Sequence, residues 1–429
     1  EVVLVAAAHH GPGSWRESHF AGSRISRSND GGKTWEQILA KGEYTGVTDV
    51  VLDPKNPSVL YAATHQRHRT VWALVNGGPE TGIHKSVDGG KTWRELKGGL
   101  PGGDKGKIGL AISQQDSRVI YATIELPGRK GGFWRSADGG ESWDKRSDYL
   151  GGGTGPHYYQ ELYADPHRFD VLYQANVSLG RSQDGGKTWN SVESGAKHVD
   201  NHAVAFHPSD PDFILVGCDG GLYRSFDRGK TYDFFANLPL TQFYKVDVDY
   251  DYPFYNIVGG TQDNNTQYGP SRTRSSSGIV NSDWRPIIGG DGHDCAIDPK
   301  NPNLIYCESQ QGNLRRYDRR TGEAVDIRPR PEKGEPDLRF NWDSPIHISP
   351  HSNKRIYHGS KKVHRSDDQG DSWTAISPDL SRNQNRLKLK VMDRVWSVDA
   401  TYDFMAMSKY GNVTSISESP VVEGLIYAS

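Results

Sequence analysis

Ser86-Val87-Asp88-Gly89-Gly90-Lys91-Thr92-Trp93 is the stretch on which the reading of this chain turns. Met once, it would be a polar turn. Near-copies begin at Ser28, Ser136, Ser182, Ser225 and Ser366, and all six fit Ser-x-Asp-x-Gly-x-Thr/Ser-Trp/Tyr. The first five begin roughly 40 to 60 residues apart, the length of one four-stranded blade in a repeat architecture.

A second phrase runs in phase with the first. Val51-Leu52-Asp53-Pro54-Lys55-Asn56-Pro57 leads into Val59-Leu60-Tyr61-Ala62, and the same shape returns around Tyr121, Tyr173, Leu215, Tyr306, Tyr357 and Tyr427. Each copy is an apolar run, a Pro/Asn/Asp turn and a β-rich run, the signals of a hairpin. One unit therefore reads as strand a (Val47 to Leu52), strand b (Val59 to Ala63), a variable loop, strand c (Gly82 to Ser86), the box, and strand d from Trp93.

The letters of the box suit a turn between strands c and d. Glycines take positive φ without a Cβ penalty, the Asp carboxylate accepts backbone N–H bonds, and the Ser and Thr hydroxyls close the remainder. The tryptophan that follows predicts an apolar anchor that fixes strand register. Asp30, Asp88, Asp138, Asp184, Asp227 and Asp368 are accordingly read as structural, with Trp35, Trp93, Trp143, Trp189 and Trp373 as anchors.

Composition agrees with many short strands. The chain has 429 residues, a net charge of −2, 49 glycines and 34% apolar residues, a balance that suits blades burying their faces against neighbours. Regular aromatic and β-branched runs argue against disorder. Near-neutral charge without Lys/Arg blocks gives no footprint for nucleic acid or an anionic membrane. No apolar run approaches the roughly 20 residues of a membrane helix. Cys218, Cys295 and Cys307 are too few for a disulfide framework and lack zinc-site spacing; Cys295 and Cys307 flank a predicted hairpin turn, as two buried thiols or as a cross-strand bridge.

The boxes resemble the Asp-box, or BNR repeat, of sialidases, family 74 xyloglucanases, photosystem assembly propellers and the sortilin VPS10 domain, and that resemblance implies a β-propeller. A finer resemblance, to large bacterial BNR/sortilin-like repeat proteins labelled glycosyl hydrolases, rests on Gly260-Thr261-Gln262-Asp263-Asn264, Gly269 to Thr273, Gly290-Asp291-Gly292, Arg316 to Gly322 and Asn341 to Pro345. It implies no settled activity.

In an up-and-down blade the a–b and c–d turns share one face, so a binding mouth belongs opposite. His157-Tyr158-Tyr159, Asp200-Asn201-His202, Asp291-Gly292-His293 and Asn341-Trp342-Asp343 precede strands a, while Asp219-Gly220 and Gln262-Asp263-Asn264 follow strands b. This rim of carboxylates, amides, imidazoles and aromatics is the candidate ligand site, against the plainer reading that such residues satisfy loop backbone groups. Asp200, Asp263, Asp291 and Asp343 are candidates for the two carboxyl groups that glycoside hydrolysis needs. The arginine-bearing motif that opens sialidases is missing, and no catalytic aspartate of the xyloglucanases is carried over. Asp263-Asn264-Asn265 and Asp247-Val248-Asp249 offer oxygen ligands of the kind calcium takes, without EF-hand spacing, and the scattered histidines lack H-E-x-x-H; no cofactor is expected beyond that calcium option.

The sequence predicts an all-β chain, a portion of a larger multi-blade β-propeller, tandem propellers included. Residues 1–43 read as a partial blade, 44–378 as about seven blades, 379–408 as an insertion and 409–429 as the start of a further blade. Strand-like ends predict an internal portion of a longer protein. Residues 325–340, rich in Pro and charge, read as a long exposed loop. The expected function is a recognition or scaffold propeller, secreted, periplasmic or on the cell surface, that binds a protein segment or glycan at the rim. Other domains of the same chain or assembly subunits are further partners, and a polysaccharide-acting glycoside hydrolase is the alternative.

Overall fold

Short β-branched and aromatic runs separated by tight turns pair in sequence order, each set of four closing one antiparallel meander. The computed structural model describes residues 3–7, 18–19, 24–150, 160–238, 240–403 and 409–429. Two units are distinct, Glu1–Asn237 with Arg386–Ala406, and Leu238–Asn385 with Met407–Ser429. The chain is nearly all β, a portion of a β-propeller.

In the first unit, Val3–Ala7, Arg24–Ser28 and Glu36–Leu39 form a three-stranded sheet, and four-stranded meanders span 45–95, 108–147, 161–191 and 201–234. A small side sheet joins Ser18–His19, His68–Arg69, Leu74–Val75 and Tyr402–Asp403. Part of the predicted insertion thus packs on a b–c loop: Val391 is buried with Ala73 and Val75, and Arg386 Nε donates to Trp72 O at 2.8 Å. The second unit holds meanders at 243–288, 292–326 and 346–375, then Ile416–Glu418 paired with Ile426–Ala428.

The box turns follow from their letters. In 86–93, Ser86 Oγ donates to Asp88 Oδ1 at 2.7 Å and accepts Gly90 N at 2.9 Å, while Thr92 donates N–H and hydroxyl to the two Asp88 oxygens at 2.9 and 2.6 Å. Two successive residues have positive φ. The first position tolerates Arg228 (φ 64°) and Gln369 (φ 64°), whereas the second is glycine throughout. A Cβ there would meet the preceding sheet, 2.8 Å from Leu96 at Gly140 and 2.5 Å from Ile327 at Gly370. The c–d turns also bond to the a–b turns, as Gly139 N to Arg118 O (2.8 Å) and Gly185 N to Asp170 O (2.9 Å), so both turn sets share one face.

Core clusters lie between successive sheets. Tyr61, Ile83 and Leu96 meet Ile108, Leu110 and Trp143; Val258 and Ile288 meet Ile297 and Ile305; Tyr306 and Leu314 meet Ile346 and Ile356. The box tryptophans from Trp93 onward pack on the sheet before them: Trp143 is 4% exposed, and Trp189 stacks on Tyr149 at 4.4 Å. Trp35 departs from the anchor reading, with 47% of its surface exposed, because no described sheet precedes its own. Cys295 and Cys307 face each other in register as free thiols. Residues 325–340 depart from the exposed-loop reading. Glu323–Asp326 is an outer strand, and Ile327, Leu338 and Phe340 are buried, with Arg328 over the Phe340 ring at 4.5 Å.

Candidate functional site

The second unit gathers most of the predicted rim. The b–c loop at Gln262-Asp263-Asn264 is held in an unusual backbone, with φ of 58° at Asp263 and 71° at Asn265. Left-handed backbone at non-glycine residues is costly and is kept where surroundings enforce it. Here Thr261 N donates to Asn265 O (3.0 Å), Asn265 N to Gly290 O (3.1 Å) and Asp263 N to Asp291 Oδ1 (3.0 Å). The other Asp291 oxygen accepts Trp342 Nε1 at 3.2 Å, and Gln311, also left-handed at φ 64°, donates its N–H to Trp342 O at 3.1 Å.

Asp291 is therefore a buried strut whose two oxygens tie two loops together. Asp263 and Asp343 are the partly exposed carboxyl groups, beside the half-buried Trp342 indole and the Gln262 and Asn264 amides. Asp343 Oδ1 lies 3.2 Å from Lys245 Nζ, which also reaches Asp294 Oδ2 at 3.5 Å. Burial lowers the lysine's proton affinity, but the two carboxylates outweigh it and raise the net pKa. Burial raises Asp294 despite that lysine and the Ile346 N–H at 3.0 Å. Deeper still, burial pushes Glu308 well up; its Oε1 accepts Gly312 N at 2.8 Å.

Several predicted residues serve the loops. His293 is buried against Tyr244 with ring centroids 4.7 Å apart, and Asn341 is buried with Oδ1 accepting Trp342 N at 2.8 Å. In the first unit, Asn201 is buried and donates to Asn176 O (3.1 Å) and Glu193 Oε1 (2.7 Å). Asp200, at φ 61°, donates its N–H to Val177 O, and His202 Nε2 lies 2.5 Å from Asp219 Oδ1. His157, Tyr158 and Tyr159 lie outside the described residues. Of the calcium-type loops, Asp247 and Asp249 point elsewhere: Asp247 Oδ2 accepts Ile297 N at 2.8 Å, and Asp249 accepts Asn256 N and Nδ2 at 2.7 and 2.8 Å.

Lys245, Asp294 and Glu308 escaped the sequence reading. A signal existed in Phe243-Tyr244-Lys245-Val246-Asp247-Val248, where a lysine interrupts an inner strand, but its carboxylate partners come from later sheets.

No family model matches the chain. It is similar to the xyloglucanase Xgh74A of Acetivibrio thermocellus, 28% identical over 234 residues that cover 47% of this chain and 27% of the relative. It is also similar to a sialidase of Bacteroides fragilis, 28% identical over 213 residues, covering 40% of this chain and 38% of the sialidase. Among solved structures, the GH74 xyloglucanase of Xanthomonas campestris aligns with 78% of this chain and 45% of its own, at 18% identity and a TM-score of 0.36. The chain spans about a quarter of the xyloglucanase it matches.

Proposed function

We propose that this chain is the glycan-engaging portion of a β-propeller glycoside hydrolase acting on a xyloglucan-type polysaccharide. The observation that carries the reading is the half-buried Trp342, pinned by Asp291 beside the carboxylate of Asp343. A fixed aromatic face stacks on the C–H face of a sugar, while carboxylates and amides around it bond the hydroxyls. The similarity to Xgh74A supports the substrate class.

Asp263 and Asp343 are the proposed hydrolytic pair, one to donate a proton to the leaving oxygen and the other to activate water or attack the sugar. The narrower kinship, with bacterial BNR/sortilin-like repeat proteins, rests on the phrases Gly260 to Asn264, Gly269 to Thr273, Gly290 to Gly292, Arg316 to Gly322 and Asn341 to Pro345. We place the protein outside the cytoplasm, since an intact polysaccharide does not cross a membrane. Among the described residues no helix is long and apolar enough to cross one.

Incubation with xyloglucan and undecorated β-glucan, followed by mass spectrometry, tests the activity. Oligosaccharide products that fall at least a hundredfold in Asp263→Asn and in Asp343→Asn are expected. A specific observation favours a second reading, glycan recognition without cleavage: the Asp343 carboxylate is already paired with Lys245 Nζ at 3.2 Å. Tight polysaccharide binding with no product would select it.

A further inference from the structure

On the turn face of the second unit, the 243–288 and 292–326 sheets leave a cleft of about 330 Å³, lined among others by Asn256, Tyr268, Pro270, Arg285, Tyr317 and Arg319. Its origin lies in the repeat. Where the following sheet has a box tryptophan, that box fills this position. Trp189 packs on Phe133 with centroids 5.2 Å apart, and Trp373 Nε1 donates to Ile327 O at 2.6 Å. In the 292–326 sheet the box is replaced by the shorter turn between Asp318 and Glu323, which face each other across the strands, and no tryptophan follows. The space stays open.

The walls are built for a polar, uncharged guest. Tyr268 is nine-tenths buried, yet its hydroxyl has no hydrogen-bond partner. A buried hydroxyl without a partner costs about 1–3 kcal/mol and is relieved by a ligand that supplies one. Arg319 lies over the Tyr268 ring at 4.4 Å and is compensated by Asp249 at 3.6 Å, while Arg285 at the edge is matched by Asp283 in the same lining. Balanced charge disfavours an ionic ligand, and donors, acceptors and aromatic faces together favour a sugar. The hairpin turn that leads into Asn256 presents Tyr250 and Tyr252 at 85% and 92% exposure.

We propose that this cleft is a second saccharide site, taking one or two neutral sugar residues on the turn face, opposite the rim. The identity of the glycan rests on the function proposed above; the cleft itself does not. Binding to this face would hold a polysaccharide while the rim acts elsewhere along it.

Calorimetry with cellotetraose and a xyloglucan heptasaccharide tests it in the intact protein carrying Asp263→Asn, Asp343→Asn and Trp342→Ala, which removes the rim site. That background should retain an oligosaccharide site. Adding Ile287→Trp, which refills the cleft, or Arg285→Ala with Asn303→Ala, should weaken it at least tenfold. Tyr252→Ala, at a position too exposed to affect folding, should weaken it severalfold. Retained affinity in all three, or no binding of either sugar to the wild type, overturns the proposal. A wild type that cleaves nothing but loses binding on Ile287→Trp would sink the hydrolase reading and leave the cleft standing.

Discussion

At the scale of single residues, the box carboxylates are tuned by their own turns. The Thr34 hydroxyl and N–H hold Asp30 down to about 2; the Ser142 and Ser372 hydroxyls and N–H groups do the same for Asp138 and Asp368. A carboxylate depressed in the folded state contributes stability that is complete above its unfolded value near 4 and is lost as pH falls through about 2. His65 works in the same direction from a higher start. Burial lowers it to about 3, so the unfolded chain takes up that proton first and stability begins to fall below about pH 6.5. Raised carboxyls such as Glu308 act in the opposite sense above pH 4, so thermal melts should show Tm falling from pH 4 to 2, with a shallower drop in Asp138→Asn/Asp368→Asn. A Tm independent of pH across that range would contradict the assignment. These roles were legible because Ser, Asp, Gly and Thr stand in one short string. His65 was not, since its burial depends on a loop that folds back to place Asn76 O at 3.1 Å from Nε2.

At the scale of elements, the box tryptophans make a graded test of how blades adhere. Trp143 lies in the core between two sheets, whereas Trp35 is half exposed. Trp143→Ala should cost about 3–5 kcal/mol in urea denaturation, and Trp35→Ala should cost less than about 1 kcal/mol, as surface changes do. Equal losses would mean that the tryptophans act within their own turns. Gly186→Ala is expected to be severe at a conservative site, because φ is +86° and the new methyl would overlap the Phe133 ring. Strand order and the turn face were readable from the two repeating phrases. The outer strand Glu323–Asp326 was not, because its four residues are all solvent-exposed and carry no apolar alternation.

At the scale of the whole molecule, repeat counting led to the four-stranded sheets, while pairings between distant segments stayed hidden. Tyr402–Asp403 joins Leu74–Val75 through two-residue strands, and backbone bonding of that kind leaves no pattern in side chains. The rim was located by loop position, but the sequence could not tell its struts from its open groups. Asp291 and Asp263 look alike in the chain, and only the indole of Trp342 and the N–H of Asp263 make the first a strut. In the proposed function, the partly exposed groups of the second unit around Trp342 engage a glycan. The most direct test is the affinity of a xyloglucan heptasaccharide for Trp342→Ala and Trp342→Phe against the wild type, each in the Ile287→Trp background so that the rim alone is read. Alanine should lower affinity at least tenfold, about 1.4 kcal/mol, and phenylalanine should recover part of it; equal affinity in all three proteins would contradict glycan engagement at Trp342.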